Sequence, residues 1–204
     1  ISEFMNQLKK QLLTATNNKD KVKEIIELLK DLNIDVITLN DLNLNVDVEE
    51  DKDTLEGNAL KKAEEIWQHV QIPCSADDTG LFVHALNGAP GVFSSRYAGE
   101  NVSYSDNRRK LLNELDGVPL ANRTAYFRTV VCYYYAKDKY ELFEGVCEGK
   151  ITLTERGDKG FGYDAVFLPD GFENTFAELN REEKNRISHR AKAFEKLKAY
   201  LSKH

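Results

Sequence analysis

Two adjacent carboxylic acids, Asp77 and Asp78, run directly into Thr79-Gly80, and no other position in the chain has a plainer capacity for chemistry. Neighbouring carboxylates can hold a hard divalent cation, and one of them can take a proton from water. The short apolar approach from Ile72 to Ala76 puts the pair where a strand turns into a loop, a position that exposes side chains to a ligand. Gly80, Gly88, Pro90, Gly91 and Gly99 follow, so the backbone of the loop can come close to that ligand. Arg96, within the same stretch, offers a rigid fork to a phosphate or carboxylate. Taken alone, an Asp-Asp-Thr-Gly run also reads as a solvated acidic turn, with the arginine in a surface ion pair.

The elements that must position this pair are traceable on either side of it. Leu12-Leu13-Thr14-Ala15 is a short apolar strand, and Asn18 can cap a helix in which Val22, Ile25, Ile26, Leu28, Leu29 and Leu32 recur at helical spacing. Strand, loop and helix in that order form a phosphate-holding geometry, because the free N–H groups at a helix N-terminus favour an anion. Lys21 adds a point charge there, and Thr16 and Asn18 can donate to phosphate oxygens. Asp35 to Leu39 predicts a second strand, Asn40 to Asp53 a polar acid-bearing loop, and Thr54 to Val70 a helix with Leu55, Ala59, Leu60, Ala63, Ile66 and Trp67 inward. Ser105 to Leu115 predicts a further helix with Arg108, Arg109 and Lys110 on its exposed side.

Arg123 to Ala136 and Tyr140 to Ile151 are rich in Tyr, Phe, Val and Thr and meet at Lys137-Asp138-Lys139, a hairpin pattern. Val130 to Tyr135 alternates too little for a surface strand, which predicts cover on both faces. Thr175-x-x-Glu178 reads as a capping box, and Ser188 can cap a last helix. A βαβ start followed by a long hairpin makes this an α/β chain with a mixed central sheet and flanking helices.

Of the 204 residues, 41% are apolar and 30% charged, ordinary for a folded soluble chain with one sizeable core. A net charge of -6 argues against a general nucleic-acid binder, which presents a basic surface to the phosphate backbone. No apolar run approaches the roughly 18 residues of a membrane span and no signal peptide precedes the first element, so the expected location is the cytoplasm. Cys74, Cys132 and Cys147 are odd in number and lack Cys-x-x-Cys spacing, which predicts buried thiols in place of disulfides or zinc. Ile1-Ser2-Glu3-Phe4 ahead of Met5 looks like a cloning remnant, leaving one domain over residues 5–204.

The stretch from Ser75 to Gly99 resembles the inosine triphosphate pyrophosphatase family, and four further segments fit that family in order. They are Thr16 to Lys21 as its Thr-x-Asn-x-x-Lys loop; Glu49-Glu50 with Glu56-Gly57-Asn58-Ala59 as its acidic loop and following helix; Phe161-Gly162-Tyr163-Asp164; and Lys184 with Ser188-His189-Arg190. The resemblance spans about residues 10–200. Three departures are visible, Thr79 where Ser is commoner, Ala165 where Pro commonly follows Phe-Gly-Tyr-Asp, and Ala191 where Gly is usual; none removes a charged or hydrogen-bonding group. The resemblance implies an elongated sheet with two lobes around a nucleotide cleft, a homodimer, and hydrolysis of purine nucleoside triphosphates such as ITP, dITP and XTP to monophosphate and pyrophosphate.

It further implies Mg²⁺ on Glu49 and Asp78, an ion that needs only one or two carboxylates beside phosphate oxygens and waters. Glu50 adjoins Glu49 and is the alternative ligand. Asp78 becomes the general base for water attacking the α-phosphorus, and Asp77, which a strand points to the opposite side, a structural acceptor. Thr16, Asn18, Lys21, Thr79 and Arg96 address the phosphates. Phe161, Gly162 and Tyr163 form a platform for the purine whose edge is met by Asp164, Lys184, His189 and Arg190; residue type alone would put Phe161 and Tyr163 in the core. Other readings of the same residues are a pyrophosphatase for other modified nucleotides, an aspartyl-phosphate phosphatase releasing orthophosphate, and a nucleotide-binding regulatory module without turnover. The acids oppose the last, since Glu49 and Asp78 repel phosphate unless a metal intervenes.

Overall fold

The structure is a computed structural model describing residues 10–203; the expected domain start at Met5, the expected cloning remnant Ile1–Phe4 and His204 lie outside them. The chain opens as β1 (Lys10–Thr14), α1 (Lys19–Leu29) and β2 (Ile34–Thr38), with β1 and β2 parallel. Asn18 caps α1 as expected, its Oδ1 accepting from the N–H groups of Asp20 and Lys21 at 3.0 and 3.1 Å. The acidic loop leads into α2 (Leu55–Val70), capped by Thr54, and then into β3 (Cys74–Val83), with short β4 (Pro90–Gly91) folded back on its end. After α3 (Tyr104–Glu114) come β5 (Thr124–Ala136) and β6 (Lys139–Ile151), the expected hairpin, then β7 (Phe167–Pro169), α4 (Arg181–Ile187) and α5 (His189–Leu201). The sheet order is β2-β1-β3-β5-β6-β7, parallel across β2, β1 and β3 and antiparallel onward.

Both faces of the sheet are covered, as the unbroken apolar run in β5 requires. Val130, Cys132 and Tyr134 pack with Leu13, Cys74 and Ala76 against Ala59, Ala63 and Ile66 of α2. Val131, one residue out of phase, joins Leu12 on the other face beneath Ile25 and Leu29 of α1 and Phe194 and Leu197 of α5. A third apolar cluster gathers Leu81, Val83 and Phe127 with Leu111 of α3, Leu115 just past its end, and Phe167 and Phe176. All three cysteines are buried and free. Among the described residues no helix is long and apolar enough to cross a membrane.

Two expectations are corrected. Asp77 and Asp78 are not at a strand end, because β3 runs on to Val83, with Asp77 opposite Val131 and Asp78 opposite Val130 of β5. Asp78 nonetheless borders the cleft, for a topological reason: β1 pairs with β3 only at Leu13 and Thr14 and then leaves the sheet, so the other edge of β3 is vacated beside it. Thr175-x-x-Glu178 does not start a helix either. Its Glu178 carboxylate reaches back to the Thr175 N–H at 2.7 Å as a capping box would, but also accepts from Arg156 Nη2 at 2.8 Å, so the motif clasps the preceding loop. The next helix, α4, starts with a capping box of its own, from Asn180 and Glu183.

Candidate active site

A cleft of about 850 Å³ lies where β1 departs, and it is lined by residues 15–18, the acidic loop 46–53, β3, the Phe93–Arg96 turn, Tyr104, the 161–164 loop and Lys184, His189 and Arg190. The expected catalytic, metal and substrate residues line it, namely Thr16, Asn18, Lys21, Glu49, Asp78, Thr79, Arg96, Phe161, Gly162, Tyr163, Asp164, Lys184, His189 and Arg190, whereas Asp77 does not.

The strand alternation sends the two acids to opposite faces of β3, where each enters a different charge network. Asp78, 4% exposed, faces α2: Oδ2 accepts from Asn58 Nδ2 at 3.0 Å and Oδ1 from the Thr79 N–H at 2.9 Å. Lys62 Nζ stands 3.8 Å from the same carboxylate and 2.8 Å from Glu50 Oε1, and donates to the Asp77 carbonyl at 2.6 Å. Burial raises the Asp78 pKa; Lys62 pulls it back and the like charge of Glu50 adds to the rise. Burial works to neutralise Lys62, but Asp78, Glu50 and Asp77 more than offset it and keep the ammonium charged. Glu49 has an exposed side chain, and its carbonyl accepts from Lys61 at 2.9 Å. Glu50 is therefore the loop acid tied to Asp78 through a shared cation. Arg96 closes this side, donating to the Glu50 carbonyl at 2.8 Å and lying 3.6 Å from its carboxylate.

Asp77 faces α1 and α5. Its Oδ2 is shared by Lys21 Nζ at 3.2 Å and Arg190 Nη2 at 3.3 Å. Burial would raise its pKa, but Lys21, Arg190 and Lys62 hold it well below the ordinary carboxylate range. Arg190, 2% exposed, also pairs with Glu24 Oε2 at 2.6 Å and donates to Thr79 Oγ1 at 3.2 Å. Glu24 Oε1 takes Lys184 Nζ at 2.7 Å, and Lys184 reaches Asp164 Oδ2 at 2.6 Å. Asp77, Glu24 and Asp164 thus alternate with Lys21, Arg190 and Lys184 in one buried, charge-balanced chain, the arrangement that makes buried ions tolerable.

The Phe161 ring lies beneath two of these cations, 5.1 Å from Lys184 Nζ and 5.6 Å from the Arg190 guanidinium carbon. Asp164 fixes the loop by accepting from the Phe161 N–H at 2.9 Å. Tyr163 is buried and donates to the Ser94 carbonyl at 2.8 Å, so of the two aromatics it is the structural one. His189 is 3% exposed and stacked at 4.4 Å on Phe127. Burial, then Arg190 and Lys184, push its pKa well below the usual value, so the ring is a neutral wall whose Nδ1 has no partner among the described residues.

Sequence reasoning missed Glu24, Asn58, Lys62 and Tyr104. Three of these left a signal. Leu55, Asn58, Lys62 and Ile66 form an i, i+3/i+4 stripe, so two polar residues stand on the buried side of α2, and Glu24 lies three residues from Lys21 on α1.

No three potential ligands from His, Cys, Asp and Glu converge among the described residues, which excludes a closed all-protein cage. The donor set fits Mg²⁺ instead: two hard carboxylates, Asp78 and Glu50, face a common charge at Lys62, and the remaining ligands of such an ion are phosphate oxygens and waters.

The Ham1 family model matches residues 12–200. Two curated relatives, each called dITP/XTP pyrophosphatase, come from Thermoanaerobacter pseudethanolicus, 48% identical over 95% of this chain and 97% of that protein, and Christiangramia forsetii, 47% identical over 95% and 100%. The solved Ham1 protein of Coxiella burnetii superposes with a TM-score of 0.86 at 38% identity, covering 96% of this chain and all of that one. That of Staphylococcus aureus gives 0.83 at 38%, covering 95% and 98%. By sequence and by fold, this chain belongs to the Ham1 family.

Proposed function

We propose that the chain is a Mg²⁺-dependent pyrophosphatase for non-standard purine nucleoside triphosphates, ITP, dITP and XTP, which removes them from the nucleotide pool. The observation that carries the reading is that one cleft holds both the Asp78–Lys62–Glu50 group and the Phe161–Lys184–Arg190 group, with the N-terminus of α1 opening into it. The names of the curated relatives support the substrate class.

Each part has a role that follows from its chemistry. The N–H groups at the start of α1, with Thr16 and Lys21, bind the triphosphate. Asp78 accepts the proton of the attacking water; burial raises its pKa, which makes it a better base than an ordinary carboxylate. Lys62 and Lys21 supply positive charge where negative charge accumulates on phosphate oxygens. Asp78 and Glu50 are the residues that would hold Mg²⁺, which when bound neutralises charge on the departing pyrophosphate. Arg190, held from both sides by Glu24 and Asp77, and Lys184 present donors at the base edge, which suit the O6 acceptor of hypoxanthine and xanthine and oppose the amino group of adenine. The proposal includes a homodimer, a cytoplasmic location and a single domain, all from the family resemblance and composition, and no nucleic-acid or membrane partner.

The test is hydrolysis of ITP with Mg²⁺ in ¹⁸O-water. Equimolar IMP and pyrophosphate, with the label in IMP, are expected from attack at the α-phosphorus. Orthophosphate as first product, or equal kcat/KM for ITP and ATP, overturns the proposal.

A further inference from the structure

Tyr104 occupies a position that neither the phosphate-binding nor the base-binding residues account for. It is the first residue of α3, and the turn that carries it is fixed by a capping box in which the Ser103 hydroxyl accepts from the Asp106 N–H at 3.1 Å while Asp106 accepts from the Ser103 N–H at 2.9 Å. From there the side chain extends into the cleft wall, 41% exposed. Its hydroxyl accepts from Asn18 Nδ2 at 3.1 Å, and Asn18 caps the helix whose N-terminus faces the phosphates. Its ring meets Phe161, the base platform, at 5.9 Å between centroids.

A nucleotide has the linear order phosphate, sugar, base. A side chain that touches the phosphate-loop cap at one end and the base platform at the other therefore flanks the sugar. A tyrosine hydroxyl has one donor and two acceptor lone pairs. Here Asn18 uses one lone pair, and among the described residues no protein acceptor takes the proton. The free donor points to a ligand hydroxyl. Since the curated relatives are named for a deoxyribose and a ribose substrate together, a contact serving both must be to a group both sugars share, and the hydroxyl they share is the one at C3′.

We propose that Tyr104 is the sugar-contacting residue of the cleft, its hydroxyl donating to the 3′-hydroxyl of the bound nucleotide; this rests on the substrate reading given above. The contact sets KM more than kcat, because it is the same in the ground state and the transition state.

The experiment compares ITP, dITP and 2′,3′-dideoxyinosine triphosphate on the wild-type protein and on Tyr104→Phe, which keeps the ring on Phe161 and removes only the hydroxyl. Wild type is expected to favour dITP over the dideoxy compound by about 3- to 10-fold in kcat/KM, the size of one neutral hydrogen bond. In Tyr104→Phe the value for dITP should fall to that of the dideoxy compound, which itself stays unchanged, and the loss should be in KM. An equal fall for both substrates assigns the effect to Asn18 and overturns the sugar contact. So does closure of the gap between ITP and dITP instead, which would move the contact to C2′. Binding of dIMP and of the dideoxy monophosphate, measured by calorimetry, makes the same comparison without turnover. A wild-type protein that binds both but hydrolyses neither triphosphate therefore overturns the substrate reading while still deciding the sugar contact.

Discussion

Replacing Asp77 and Asp78 one at a time by asparagine removes a single charge from opposite faces of β3, and the structure predicts two different losses. Asp77 Oδ2 compensates the partly buried Lys21 and the buried Arg190, at 3.2 and 3.3 Å. Breaking a buried pair by deleting one partner costs about 3–5 kcal/mol. Arg190 keeps Glu24 at 2.6 Å, which puts the expected cost near the lower end, about 3 kcal/mol. At about 2–4 °C per kcal/mol for a domain of this size, the Tm of Asp77→Asn should drop by about 6–12 °C. Asp78 is the reverse case, since burial already disfavours its charge, so a neutral isostere should leave the Tm within about 2 °C. Its removal deletes the base and a metal ligand, and kcat should fall by about 10²- to 10⁴-fold. Scanning calorimetry and pyrophosphate release on the same preparations separate the two. The reasoning is refuted if Asp77→Asn melts with wild type, or if Asp78→Asn keeps more than about a tenth of the wild-type kcat, outside the range of a lost general base.

Three further predictions follow from the same geometry. Glu50→Gln should raise the Mg²⁺ concentration needed for half-maximal activity, and Glu49→Gln should not, because Glu50 shares Lys62 with Asp78 and the exposed Glu49 does not; metal titrations of both variants decide it. His189 stays neutral when folded because burial, Arg190 and Lys184 lower its pKa, whereas the unfolded chain takes up a proton below about pH 6.5. The unfolded state then binds more protons, so stability declines as pH falls through that value, and urea midpoints between pH 7.5 and 5.5 should decline less in His189→Phe. Gly145 lies under α5, where an added methyl would overlap the His189 carbonyl oxygen and come within 2.6 Å of the Ala193 nitrogen. Gly145→Ala should therefore cost about 1–3 kcal/mol, and by displacing the helix that carries Arg190 it should narrow the ITP-to-ATP ratio; an unchanged melting curve and ratio would show that this close approach does not seat α5.

The sequence by itself determined the elements and most of the site. Apolar periodicity placed α2 and the β5–β6 hairpin within a residue, and α1 with an end three residues short of the expected Leu32, because these segments carry their burial pattern locally. The Asn18 and Ser188 caps were legible for the same reason, since a cap bonds to amides two or three residues away. The Thr175 box was misread because its pattern is local but its partner, Arg156, is not. Tertiary structure alone decided where β1 leaves the sheet, and hence that Asp78, an acid in mid-strand, borders a cleft instead of lying in a closed ladder. It also decided which charge answers which. Glu24 meets Arg190 and Lys184 across 166 and 160 residues of sequence, and Asn58 meets Asp78 across 20. Burial gives these charges their strength, and it belongs to the packed faces of the sheet, on which residue spacing along the chain carries no information.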